Sequence, residues 1–297
     1  AVDLARYRRD GARGLTVWED GLGKVGEANT KQPIARREGH KWFVRVGAFL
    51  ADAKVFTVAT EGVVRLWHAD SGKRLATIDG ERAVASRDGK RLVATNRGQA
   101  IVWDAETVTR VATLAEETLH LADVDFSPDG SRVVGGGGLD TDPPKTARPR
   151  GRIWATETGE VLAHLDGHTG TINSVAFSPD GNCVATTSTD RTAKVWAADS
   201  GKLLASFGAH PGSVPDAAYS PDGTRLLTFS EHVAAIWNLS KDQQPITLIH
   251  DEWINNAGFS PDGKRVVTAA NDDSAYLWDT ASGQRLLSLR GHTGRIH

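Results

Sequence analysis

Residues 167–196 read "GHTGTINSVAFSPDGNCVATTSTDRTAKVW". Within it, "INSVAFS" and "CVATTS" have the alternating character of strands with one buried face. Between them stands Ser-Pro-Asp-Gly. Proline presets φ at the first turn position, and glycine takes the left-handed position that closes a hairpin. "AKVW" reads as a third strand ending in Trp196, and "AADSGKLLASF" beyond it as a turn and a fourth strand. No helix-length stretch with a 3.6-residue period occurs anywhere in the chain.

The same unit recurs. "FSPDG" stands at 126–130, 177–181 and 259–263, and "YSPDG" at 219–223. Each leads to a tryptophan: Trp154, Trp196, Trp237 and Trp278. Two degenerate copies contain "FLADAK" (49–54) and "ASRDG" (85–89) and end at Trp67 and Trp103. Successive spacings from Trp67 are 36, 51, 42, 41 and 41 residues, around the 40–45 residues of a unit of four short strands. Laying 10–34 on 222–246 without a gap puts Val25 on Trp237 and Trp18 on Ser230. The chain therefore reads as seven units, the first with Val25 in place of tryptophan.

The 297 residues carry a formal net charge of −2, which gives no global attraction to nucleic acid or anionic membranes. Cys183 is the single cysteine, so no intrachain disulfide forms, in keeping with a reducing, cytoplasmic setting. No apolar run reaches the roughly 18 residues of a membrane span, and no signal-peptide core opens the chain. Methionine is absent, which reads as a piece of a longer protein.

These phrases resemble the WD-repeat family: Gly-His, then "VAFSPDG", then a tryptophan followed by aspartate at 103–104 and 278–279. The resemblance covers the whole chain. It implies an all-β, seven-bladed β-propeller of four-stranded antiparallel blades, one domain over 1–297, its ring closed near the two termini. The "FSPDG" wording resembles bacterial members, often C-terminal arrays on larger signalling proteins. That context is family analogy alone.

His168, Thr186 and Asp190 form a hydroxyl–imidazole–carboxylate set, and His250, Thr268 and Asp272 repeat it. A hydrolase would use the threonine as nucleophile. The resemblance implies a structural hydrogen-bond tetrad instead, completed by Trp196 and Trp278. His40 and His210 keep the histidine place, but Glu61 and Glu231 stand where the aspartates are expected. The third and fourth units lack the histidine, so they are expected to lean on inter-blade packing and to be softer.

Other signals are weaker. Cys183 has no metal-spaced neighbours and reads as a packing residue. "GGGG" (135–138) lacks the features of a phosphate loop and reads as a flexible hairpin. Asp272-Asp273 reads as tetrad and turn rather than a calcium site.

The loops between second and third strands and those between blades share one end of each sheet. That end is the family's usual docking face. It carries an insertion, "LDTDPPKTARPR" (139–150), and three tryptophans outside the signature: Trp18, Trp42 and Trp253. Those indoles are candidate anchors for a partner; the alternative is that they fill gaps between blades. The expected function is a non-enzymatic, monomeric module for a protein or peptide, with no cofactor, metal, nucleic acid or membrane. The other reading is a ligand-sensing or catalytic site at the channel mouth, with Asp123, Asp125 and Asp216 as its few candidates. Counting nine residues from His292 across a join of the termini reaches Leu4, expected to be the strand-end residue of the first unit.

Overall fold

In the computed structural model, the Ser-Pro-Asp-Gly phrases are hairpin turns. Gly130, Gly181, Gly223 and Gly263 all have φ between 67° and 74°, where a Cβ is disfavoured. The Ser178 hydroxyl donates to Asp180 at 2.5 Å and accepts the Cys183 N–H at 2.9 Å. Ser86 in the degenerate "ASRDG" makes the same pair of bonds with Asp88 and Arg91.

The structure describes the backbone of 2–7, 13–18, 23–27 and 33–37. It also describes residues 44–290 apart from 52, 97, 116–118, 140–149, 209, 241–243 and 272–273; side chains begin at residue 44, without 45, 115, 119 and 139. Among these residues the protein is all-β, in seven four-stranded sheets.

The first sheet holds β1 (Val2–Tyr7), β2 (Arg13–Trp18), β3 (Gly23–Glu27) and β4 (Pro33–Arg37). The second holds β5 (Val44–Phe49), β6 (Lys54–Ala59), β7 (Val63–His68) and β8 (Arg74–Asp79). The third holds β9 (Arg82–Ala85), β10 (Arg91–Asn96), β11 (Gln99–Asp104) and β12 (Arg110–Ala115). The fourth holds β13 (Leu119–Phe126), β14 (Arg132–Leu139), β15 (Arg150–Ala155) and β16 (Val161–Leu165). The fifth holds β17 (Ile172–Phe177), β18 (Cys183–Ser188), β19 (Ala193–Ala197) and β20 (Leu203–Phe207). The sixth holds β21 (Ala217–Tyr219), β22 (Arg225–Ser230), β23 (Val233–Asn238) and β24 (Ile246–Ile249). The seventh holds β25 (Ile254–Phe259), β26 (Arg265–Ala270), β27 (Ala275–Asp279) and β28 (Arg285–Leu289). Strands within each sheet pair in chain order. Six sheets have a described register, antiparallel throughout.

Register corrects two sequence assignments. Trp67, Trp103, Trp196, Trp237 and Trp278 each face the second residue of the second strand of their sheet, as Trp196 faces Val184 and Trp237 faces Leu226. In the first sheet that residue is Gly14, and it faces Gly26 rather than Val25. The ladder between third and fourth strands also breaks just before Trp67, Trp103, Trp196 and Trp278, and in the first sheet between Val25 and Gly26. The tryptophan place therefore belongs to Gly26. The turn after β2 takes one residue more than the gapless superposition allowed. Likewise Tyr7 faces Gly14 as Phe177 faces Val184. The strand-end residue is Tyr7, three beyond Leu4.

A third correction concerns 135–138. These glycines lie inside the strand β14 rather than in a flexible turn, and residues 135–137 are buried. A Cβ on Gly136 would lie 2.7 Å from Ile172 Cγ2 and 2.9 Å from Val175 Cγ1. The glycine lets the fifth sheet approach this strand closely.

The chain divides into two compact units: Ala1–Leu121 with Asp129–Val133 and Trp154–Glu160, and the remainder. Inside each, consecutive sheets bury one apolar row against the next. In the first unit Phe56, Val64 and Leu66 pack on Ala83, Leu92 and Ala94. In the second, Val134, Ile153 and Leu165 receive Phe177 and Trp196, and Leu227, Ile236 and Leu248 receive Val266 and Trp278.

Candidate functional site

The fifth sheet holds the tetrad complete. His168 Nδ1 lies 2.8 Å from Asp190 Oδ2, and His168 Nε2 lies 2.8 Å from Thr186 Oγ1. Trp196 Nε1 donates to the same hydroxyl at 2.8 Å. Histidine, threonine and indole are all buried. Burial opposes the Asp190 charge, but donors from Thr192, the Thr169 N–H and His168 outweigh it and hold the carboxyl at about 2. Burial also lowers the His168 pKa. A neutral His168 then donates from Nδ1 to the carboxylate and accepts at Nε2 from Thr186. The Thr186 hydroxyl thus has both a donor and an acceptor in place.

The other sheets show how the set decays. In the seventh, His250 Nε2 lies 2.6 Å from Thr268 Oγ1, and Trp278 donates to that hydroxyl at 2.7 Å. Asp272 and Asp273 lie outside the described residues. In the sixth, Trp237 keeps its 2.8 Å bond to Thr228, but His210 Nε2 stands off at 3.3 Å. Burial alone lowers the His210 pKa to about 4. Glu231, in the aspartate place, adopts φ of 50°.

In the second sheet Trp67 bonds Thr57 at 2.8 Å, and Glu61 pairs with Arg65; His40 lies outside the described residues. The third and fourth sheets have lost more than histidine. At the threonine place, fourth in the second strand, they carry Ala94 and Gly135. Trp103 Nε1 and Trp154 Nε1 are buried without a hydrogen-bond partner among the described residues. Links to neighbouring segments run instead through Arg91, which reaches Asp104 at 2.6 Å and Glu157 at 3.0 Å.

The Thr189 N–H donates to Thr171 at 2.9 Å, and the Asn271 N–H donates to Trp253 at 2.9 Å, joining turns to inter-sheet segments. Trp253 is 53% exposed and meets His232 edge-on, ring centroids 6.2 Å apart. His232 went unnoticed in the sequence because nothing in the repeat marks it. Ile249, on the neighbouring outer strand, is 68% exposed. Trp18 ends β2 opposite Val2; its side chain and all of Trp42 lie outside the described residues, as do residues 140–149 of the insertion.

The three carboxylates Asp123, Asp125 and Asp216 each accept a hydrogen bond. Asp123 accepts the Val175 N–H at 3.1 Å, and Asp125 accepts the Phe177 N–H at 2.9 Å. Asp216 accepts from the Ser174 hydroxyl at 2.6 Å. Burial drives the Asp125 pKa up to about 6, with the neighbouring Asp123 charge adding to the rise. Cys183 is half-buried beside Ala185 and Val195, and burial raises its pKa, as suits a packing residue. Among the described residues no group of His, Cys, Asp and Glu is arranged to hold a metal, and no helix is long and apolar enough to cross a membrane.

Comparison with known proteins agrees with this geometry. Over its full length the chain is similar to the crystal structure of the computationally designed Ika8 protein. The TM-score is 0.82 at 24% identity, covering 100% of this chain and 89% of that one; the likeness concerns the fold alone. A 42-residue stretch is 45% identical to the Periodic tryptophan protein 2 homolog of Neurospora crassa, spanning 14% of this chain and 5% of that relative. The WD40 family (WD domain, G-beta repeat) matches residues 159–197, 201–238 and 243–279. Each match opens at the outer strand of one sheet and ends with the third strand of the next. The chain thus carries WD40 repeats in three places, ending on the fifth, sixth and seventh sheets.

Proposed function

We propose that this chain is a non-enzymatic scaffold for a protein or peptide partner. The carrying observation is Trp253, an indole exposed at the loop end of its sheet and propped edge-on by His232. WD40 repeats generally serve protein interaction, and the committed hydroxyls of Thr186 and Thr268 favour a structural tetrad over hydrolase chemistry. Trp18 and Trp42 share the anchoring role. Both belong to the loop ends of their sheets by register or sequence, as Trp253 does.

The proposed architecture is a single monomeric domain, a ring of seven blades closed by the first and seventh sheets. The β25–β28 face that would meet a further sheet exposes Val267, Leu287 and Leu289 at 42, 54 and 49%, apolar surface that closure would cover. The context is a cytoplasmic bacterial signalling protein with an attached effector domain, on the strength of the repeat wording.

The test is affinity for a captured partner, with Trp253→Ala compared against the unmodified chain at equal thermal stability. Loss of a central aromatic anchor should weaken binding by about tenfold or more. Undiminished affinity would remove Trp253 from the interface.

A further inference from the structure

We propose that a cleft between β5 and β9 receives one aromatic side chain of a partner peptide. This rests on the scaffold reading and names a second point of contact, at the hairpin-turn end of the sheets rather than the loop end.

The cleft begins with a missing ring. Phe49, Phe177, Tyr219 and Phe259 each end a first strand and face the second residue of the next strand. In the third sheet that partner, Leu92, faces Ala85. Where other sheets pack a ring between layers, this one offers a methyl group. A cleft of about 660 Å³ occupies the place, lined by Val46, Phe49, Leu50, Phe56, Ala83 and Ala85 with the turn beyond. Its size falls within the range of organic ligand sites. The cleft opens to solvent, with buried Phe56 and Leu50 beneath it.

The walls are tied to each other beyond the cleft. The Ala51 N–H donates to the Gly89 carbonyl at 3.1 Å. These two turns touch so closely that a Cβ on Gly89 would lie 2.3 Å from Ala51 N. Lys54 Nζ reaches the Ala105 and Glu106 carbonyls at 3.2 and 3.1 Å. Backbone and side-chain ties therefore fix the spacing of the second and third sheets, with Ala85 packed only at the edge of the core shared by Leu50 and Phe56. The Ser86 hydroxyl at the rim is already bound to Asp88 and the Arg91 N–H. What remains is a floor of Val46, Ala48 and Ala85 over Phe56, rimmed by the charged turn residues Arg87 and Asp88, and suited to the ring its own chain lacks. The volume exceeds one ring, leaving room for flanking peptide.

The probes are N-acetyl-tryptophanamide, N-acetyl-leucinamide and free indole, titrated onto the full chain while following the amide resonances of Ala83–Arg91. N-acetyl-tryptophanamide should bind saturably and about tenfold more tightly than the leucine compound, a difference of about 1.4 kcal/mol. Ala85→Phe fills the site and should abolish that binding, while Trp253→Ala leaves it unchanged. Ala85→Ile, a smaller filler, should weaken it and serves if the phenylalanine disturbs folding. Retained affinity in both Ala85 variants, or equal affinity for the leucine compound, overturns the proposal. Free indole binding as tightly as the amide overturns the peptide as occupant. A chain that holds a partner through Trp253 yet shows no saturable probe binding overturns the cleft alone.

Discussion

Thr186 satisfies two buried partners with one hydroxyl. Trp196 donates to its oxygen, and its proton goes to His168. Thr186→Val keeps the shape and removes both bonds, leaving the indole N–H and imidazole nitrogen unpaired. We expect a loss of about 2–4 kcal/mol in urea unfolding, because each orphaned buried group costs about 1–3 kcal/mol. Thr186→Ser should recover most of it. This set was legible in the sequence because its members recur at fixed distances from the turn. Thr192, which donates to Asp190 at 2.6 Å, was not; a hydroxyl beside an aspartate is ordinary turn chemistry. Gly26 was missed for a related reason. Superposed sequences count residues, whereas a ladder counts pairs, and one extra turn residue shifts every pair.

Among elements, the first strands of the fourth and fifth sheets are joined by carboxylate side chains that accept backbone N–H groups. Asp125 accepts the Phe177 N–H from a buried position, and its pKa of about 6 lies above the ordinary 3.8. The folded state therefore holds this proton between about pH 4 and 6 while the unfolded chain releases it. Its contribution to stability falls as pH rises through that window. Asp125→Asn removes the titration and keeps an acceptor. Relative to Asp125→Asn, the unmodified chain should lose about 2–3 kcal/mol of stability between pH 4 and 7, since one pKa unit is worth about 1.4 kcal/mol. Urea midpoints at both pH values read this out. His210, depressed to about 4 by burial, titrates in the opposite sense and cancels in the comparison. Sequence alone flagged Asp123 and Asp125 as chemistry, because it shows carboxylates but not the N–H groups facing them. The glycines of β14 were misread similarly: their meaning lies in Ile172 and Val175, more than thirty residues away.

For the molecule as a whole, the repeat count came from tryptophan spacing, and seven four-stranded sheets are present among the described residues. What the spacing did not convey is unequal internal support. The fifth sheet has a full tetrad, whereas the third pairs a partnerless Trp103 nitrogen with Ala94 and a cleft over Ala85. Amide hydrogen exchange should be slowest in β17–β19 and faster by about tenfold or more in β9–β11, a gap of about 1.4 kcal/mol in opening free energy. Equal protection would mean that inter-sheet packing alone sets local stability.

The stagger between matched repeats and sheets also bears on synthesis. As residues 201–238 leave the ribosome, β20 completes the fifth sheet, while β21–β23 wait for β24, which the next repeat supplies. Until each outer strand emerges, the growing chain carries an unfinished sheet whose last strand has a free hydrogen-bonding edge. Translational pauses should be safest just after each outer strand emerges, and hazardous just before.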